Sequence, residues 1–119
     1  PELKNAKSLT RDQIKEKEGE LILKNVKPQD ELILLDERGK MFSSVEWAAH
    51  MENKFLHSTR DIVFSIGGAY GFSQAVYDRA GEKISLSKMT FSHQLVRVIF
   101  LEQLYRMFTI IKGEPYHHE

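Results

Sequence analysis

Cysteine is absent from this chain. That excludes disulfides, thiolate zinc sites and a cysteine nucleophile, and it fits a reducing compartment such as the cytoplasm. Long apolar runs are missing as well: none approaches the roughly 20 residues that a membrane-spanning helix needs. The opening residues Pro1-Glu2-Leu3-Lys4 lack the basic-then-apolar order of a signal peptide. Since the first residue is not Met, either the initiator was removed or the chain begins within a longer protein. Net charge is lacking too. The 17 Lys and Arg balance 17 Asp and Glu, which argues against a generic polyanion binder. No repeat, low-complexity tract or linker interrupts the 119 residues, so residues 1–119 read as one domain. There is no Ser-His-Asp order, no HExxH motif and no phosphate loop.

What is present is an alternation of short apolar runs with helical patterns. Thr10 and Gln13 have capping-box spacing, and Ile14, Leu21, Ile22 and Val26 follow on one face, so a helix is expected over residues 10–26. Gly19 inside it costs about 1 kcal/mol relative to Ala. The charge run Lys15, Glu16, Lys17, Glu18 and Glu20 reads as its solvated face. Leu32-Ile33-Leu34-Leu35 is expected to be a buried strand, closed by a turn at Asp36, Glu37, Arg38 and Gly39. Ser43 and Glu46 repeat the capping-box spacing ahead of Trp47, Ala48, Met51 and Phe55. Ile62 to Ile66 forms the next strand, residues 73–80 a short helix, Ile84-Ser85-Leu86 a third strand, and residues 93–112 a long helix stopped by Gly113 and Pro115.

Strands alternating with helices imply an α/β fold with a parallel sheet covered on both faces. Ligands then bind beyond the carboxyl ends of the strands. Three loops occupy that edge: the one after Leu35, the one from Gly67 to Gly71, and the one from Ser87 to Ser92. The last helix is apolar nearly all round, through Leu95, Val96, Val98, Ile99, Phe100, Leu101, Leu104, Tyr105, Met107, Phe108, Ile110 and Ile111. Such a helix is buried on more than one side, either against a second subunit in a homodimer or sandwiched within one subunit.

The candidate chemistry is scattered. Gly67-Gly68-x-x-Gly71 lets a ligand approach backbone closely, as glycine has no side chain to obstruct it. The loop of Ser87, Lys88, Met89, Thr90, Phe91 and Ser92 mixes hydroxyls with apolar groups, suited either to a flat ring with polar edges or to plugging the core. His93, Arg97, Leu101 and Tyr105 are four apart and share a helix face. Arg97, in so apolar a helix, needs an internal carboxylate or a ligand anion to compensate it. Glu102 and Arg106 are spaced to pair with each other. Tyr116-His117-His118-Glu119 has no third ligand spaced for a metal, so it is either a substrate-closing tail or a frayed terminus.

Taken together and in order, these residues resemble a known family. Ile66-Gly67-Gly68-x-x-Gly71, Leu86-Ser87-x-Met89-Thr90-Phe91-x-His93-x-x-x-Arg97, Glu102-Gln103-x-Tyr105-Arg106 and Pro115-Tyr116-His117 carry the resemblance, with Lys17-Glu18-Gly19 and Leu35-Asp36-x-x-Gly39-Lys40. They resemble the bacterial ribosomal large-subunit methyltransferases that modify N3 of a pseudouridine, within the SPOUT class, over essentially the whole chain. The resemblance implies a C-terminal trefoil knot holding S-adenosylmethionine. Its cofactor contacts fall on Leu35, Gly68 and Ser87, Lys88, Met89, Thr90, Phe91 and Ser92, with Gly67 and Leu86 beside them. It implies a homodimer through the C-terminal helix, a 23S rRNA hairpin on the assembled ribosome as substrate, a cytoplasmic setting, and neither DNA, membrane nor metal. The pseudouridine N3 must lose a proton. The substrate-side candidates are Arg97, Tyr116, His117, His93 and Arg106.

Two departures stand out. The family's N-terminal strand and helix, and most of a second strand, precede the position of Pro1, which raises a cofactor- or RNA-binding domain without turnover as the alternative. Ser92 stands where proline is common, and His118 where a basic residue is. The balanced charge also conceals a local excess: Lys83, Lys88, Arg97, Arg106 and Lys112 against Glu102 alone within residues 83–112. The charge argument therefore excludes only a non-specific nucleic-acid binder.

Overall fold

A computed structural model describes residues 10–67, 71–87 and 89–116. Its elements alternate as expected. They run α1 (Arg11–Lys24), β1 (Glu31–Met41), α2 (Ser44–His57), β2 (Ile62–Ile66), α3 (Gln74–Arg79), β3 (Glu82–Ser85) and α4 (His93–Lys112). Both capping boxes form. The Gln13 amide donates to Thr10 Oγ1 at 3.2 Å while the Thr10 amide donates to Gln13 Oε1 at 2.9 Å. Ser43 and Glu46 do the same at 3.1 and 2.8 Å. Each box satisfies two amides that the first helical turn would otherwise leave unpaired.

The three strands are parallel, in the order β2-β1-β3. β1 is central, and its alternation builds the two faces. Ile33 and Leu35 meet Trp47, Ala48 and Met51 of α2 and Phe100 and Met107 of α4. Leu32 and Leu34 meet Phe72 and Val76, with Ile22 and Leu23 of α1 behind them. Helices thus cover both faces, and each buried aliphatic side chain contributes about 1.5–3 kcal/mol. At the amino ends of the strands Lys54 Nζ donates to Glu31 at 2.6 Å and to Glu82 at 3.0 Å, tying α2 to β1 and β3. Burial works to lower the Lys54 pKa, but the two carboxylates outweigh it and raise it.

Four expectations change. The turn at residues 36–39 lies inside β1: Leu35 and Lys40 both stand opposite Ile84, and pairing resumes at Met41 with Ser85. The four residues bulge from the ladder because Gly39 presses directly on β3. A Cβ there would lie 2.6 Å from the Ile84 backbone. Second, α1 ends at Lys24, two residues early, because the Asn25 and Val26 amides turn back to the carbonyls of Ile22 and Leu23, each three residues behind. Third, β3 ends at Ser85 rather than Leu86. Fourth, Gly19 is the one buried residue of α1, and its missing side chain is what allows α3 close: a Cβ would meet Ser73 Oγ at 2.4 Å.

α4 buries Phe100, Met107 and Thr109 against the sheet and α2. Its opposite face is exposed and apolar, through Val98 at 63%, Leu101 at 63%, Tyr105 at 55% and Phe108 at 43%. Among the described residues only the Tyr116 ring against Tyr105 and the Phe55 ring against Phe108 touch that face, and they leave Val98 and Leu101 open to solvent.

Candidate functional site

A cleft of about 570 Å³ opens where the strands end. Leu35 of β1, Ile66 at the end of β2 with Gly67 behind it, and Leu86 and Ser87 after β3 form its floor. Met89, Thr90 and Phe91 form one wall, and His93 and Val96 of the first turn of α4 close it. Arg11, Asp12 and Lys15 of α1, the bulge residues Asp36, Glu37 and Arg38, and Gly71, Phe72 and Tyr77 form the other side. The size falls in the range of small-molecule and cofactor clefts, about 300–1,000 Å³.

Local chemistry shapes each wall. The Met89 amide donates to Ser87 Oγ at 3.0 Å and Ser85 Oγ donates to the Ser87 carbonyl at 2.9 Å, so the loop after β3 is braced on its own hydroxyls. That brace presents Met89, 73% exposed, and Phe91, 37% exposed, as apolar surface for a ring. Gly67 backs onto Phe72, whose ring would lie 3.2 Å from any Cβ added there. On the far wall Tyr77 donates its hydroxyl to one oxygen of Asp36, while the other accepts the Arg38 amide at 2.9 Å. Burial first, and then the Asp36 carboxylate, push the Tyr77 hydroxyl up to about 12. It therefore stays a donor throughout the neutral range.

Eight of the expected residues come together here: Leu35, Gly67, Leu86, Ser87, Met89, Thr90, Phe91 and His93. Gly68, Lys88 and His117 lie outside the described residues. Ser92 does not line the cleft. It is the N-cap of α4, its Oγ accepting from the Leu95 amide at 3.3 Å. A proline at this position has no side-chain oxygen to serve that way.

Arg97, Arg106 and Tyr116 are also away from the cleft. Arg97 is exposed on the outward face of α4, and among the described residues no carboxylate forms an ion pair with it, so solvent reaches its charge. Arg106 pairs with Glu102 at 2.9 Å. The αL residue Gly113, at φ 74°, turns the chain back, so that Tyr116 lies edge-on to Tyr105 at 4.8 Å and donates to Glu102 at 2.9 Å. That hydrogen bond, more than the charge or burial, raises the Tyr116 pKa. The basic excess of residues 83–112 is consequently not one patch. Lys83 lies over the Tyr77 ring, Arg106 is paired, and Arg97 and Lys112 stand at opposite ends of α4.

Sequence reasoning missed Tyr77, which no spacing marked, and gave Asp36 no site role, reading it as a turn residue and as part of the motif that follows Leu35. Among the described residues no three His, Asp or Glu gather as a metal would need. Nor is any described helix long and apolar enough to cross a membrane.

Residues 1–117 match the family model described as predicted SPOUT methyltransferase. A Bacteroides fragilis protein named ribosomal RNA large subunit methyltransferase H is 63% identical over all of this chain and 76% of its own length. Proteins of the same name from Parabacteroides distasonis and Flavobacterium johnsoniae are 58% and 56% identical over the same shares. A solved Archaeoglobus fulgidus structure bound to S-adenosylhomocysteine aligns at TM-score 0.46 and 16% identity, over 69% of this chain and 35% of that one. With its cleft at the sheet edge and a family match over residues 1–117, the chain belongs to the SPOUT methyltransferases, a family of methyl-transferring enzymes.

Proposed function

We propose that this chain transfers a methyl group from S-adenosylmethionine to 23S rRNA of the large ribosomal subunit, at N3 of a pseudouridine in a hairpin of the assembled ribosome. The observation that carries the reading is the cleft: eight residues of the family motifs, drawn from β1, the loop after β2 and the stretch from Leu86 into α4, line one cavity of cofactor size. The walls suit the cofactor's parts. Leu35, Ile66, Leu86 and Phe91 offer apolar surface to an adenine, and Ser87, Thr90 and Asp36 offer acceptors to its hydroxyl and amino groups. When bound, the cofactor supplies an activated methyl on a cationic sulfur. The protein's work is then mostly to hold two reactants in line.

His93, at the cleft mouth on the first turn of α4, is the described titratable group best placed to receive the N3 proton. Arg97, one turn further along the helix and outside the cleft, would pair with a phosphate of the same RNA.

The homodimer belongs to the same proposal. The apolar face from Val98 to Phe108 is what a second α4 would cover. Two such helices pairing antiparallel about Leu101 would set the first turn of one beside the last turns of the other. The cleft of one protomer then meets Arg106 and Tyr116 of the partner subunit. That arrangement reunites the substrate-side residues that a single chain keeps apart. It also buries Arg97 at an edge where only an anion, such as RNA phosphate, compensates it. The trefoil knot and a cytoplasmic setting go with this reading.

The test is mass spectrometry of the rRNA hairpin after ribosomes from cells lacking the activity are incubated with the protein and S-adenosylmethionine. A single added methyl on the pseudouridine is expected. No added methyl, or a methyl on another nucleotide, would refute the assignment.

A further inference from the structure

The bulge of β1 is held at both ends. Leu35 and Lys40 are both anchored opposite Ile84, and Gly39 sits against the backbone of β3. Asp36, the first residue of the bulge, follows directly on Leu35 at the cleft floor, and both line the cleft. Its orientation rests on two hydrogen bonds: the Arg38 amide to Oδ1, and the Tyr77 hydroxyl to Oδ2. The first is local to the bulge. The second reaches across the cleft wall from α3 and is the tie that fixes the carboxylate relative to the rest of the fold. Lys83 Nζ, from β3, lies over the Tyr77 ring at 5.2 Å from its centroid.

A carboxylate oxygen has more than one acceptor direction, so Asp36 still has acceptor capacity after both bonds are made. A ligand in the cleft would have to offer it donors. S-adenosylmethionine has these in its ribose hydroxyls and its amino group. We infer that Tyr77 is a positioning residue for the cofactor, acting through Asp36, whose carboxylate it holds ready to accept from a donor group of the ligand. The inference rests on the reading of the cleft as a site for S-adenosylmethionine. It adds a residue that no motif of the chain marks.

Calorimetry with S-adenosylhomocysteine, which keeps the hydroxyls and the amino group, tests it on four full-length proteins: wild type, Tyr77→Phe, Asp36→Ala and the double variant. Tyr77→Phe should weaken binding about tenfold, as loss of a hydrogen bond to a charged group does. The double variant should bind no worse than Asp36→Ala alone, because Tyr77 has nothing to act through once Asp36 is gone. In turnover, Tyr77→Phe should raise KM for S-adenosylmethionine with kcat nearly unchanged, the pattern of lost uniform binding. Thermal melting within a few degrees of wild type would separate this from general unfolding. Unchanged affinity of Tyr77→Phe beside a wild type that binds, or losses that multiply in the double variant, would overturn the positioning role alone. A wild type that binds neither S-adenosylhomocysteine nor S-adenosylmethionine would overturn the cofactor reading as well.

Discussion

Gly39 is the residue on which the cleft wall turns. It lets β1 leave and rejoin the ladder within six residues, because its backbone lies against that of Ile84 with no room between them. Gly39→Ala puts a methyl 2.6 Å from main-chain atoms that cannot swing aside. We expect a loss of about 3 kcal/mol, the upper part of the usual overpacking range, read as a lower urea midpoint. An unchanged midpoint would show that β3 yields. Gly19 teaches the related lesson about what a sequence discloses. Read in its own helix it is a defect of propensity. Its reason lies at Ser73 and Val76, on an element that packs against it from far along the chain. Tyr77 was invisible for the same cause: its partner is 41 residues away. By contrast Thr10, Ser43 and Gly113 act within their own turns, and local spacing was enough to read them.

At the scale of elements, helices were read well and strand ends poorly. A capping box, a 3.6-residue rhythm and a stop at glycine are all local signals. The end of a parallel strand depends on what its neighbours offer, and β1 continues past an apparent turn because β3 is there to receive Met41. The cap of α2 makes a pH-dependent prediction. The Ser43 amide, donating to the Glu46 carboxylate, and then the Ser43 hydroxyl hold the pKa of Glu46 below its ordinary value of 4.5. A carboxyl with a lowered folded-state pKa stabilises the fold above its unfolded value, and that contribution is lost as pH falls through the folded one. Glu46→Gln should therefore be less stable than wild type at pH 7, and the difference in urea midpoint should shrink towards pH 3. A difference that stays constant with pH would remove the charge from the cap's role.

For the whole molecule, the outer face of α4 is the surface on which the proposed pairing rests. Leu101 is central on that face and 63% exposed, so changing it disturbs little inside one chain. Leu101→Asp should convert the proposed dimer to monomer by light scattering, lower methylation of ribosomes by at least tenfold, and shift the melting temperature of the monomer only slightly. A wild type that is already monomeric would refute the pairing, and with it the route by which Arg106 and Tyr116 of the partner subunit reach the cleft. This part of the site was half legible. The apolar rhythm of α4 announced a second covering surface. The expected helix over residues 93–112 also set His93 and Arg97 near one end and Arg106 near the other, but that rhythm could not say that the cleft would open at the first end alone.

The central place of β1 carries a consequence for how motion is shared. Its alternate side chains belong to different layers, Ile33 and Leu35 to one and Leu32 and Leu34 to the other. Neither layer can loosen without dragging on the strand that also anchors its counterpart, so the two halves of the interior open together or not at all. The cleft floor begins at Leu35, the last residue of that shared segment. The stationary end of the site is thereby tied to the least yielding part of the protein, while adjustment to a ligand is left to the loops around it.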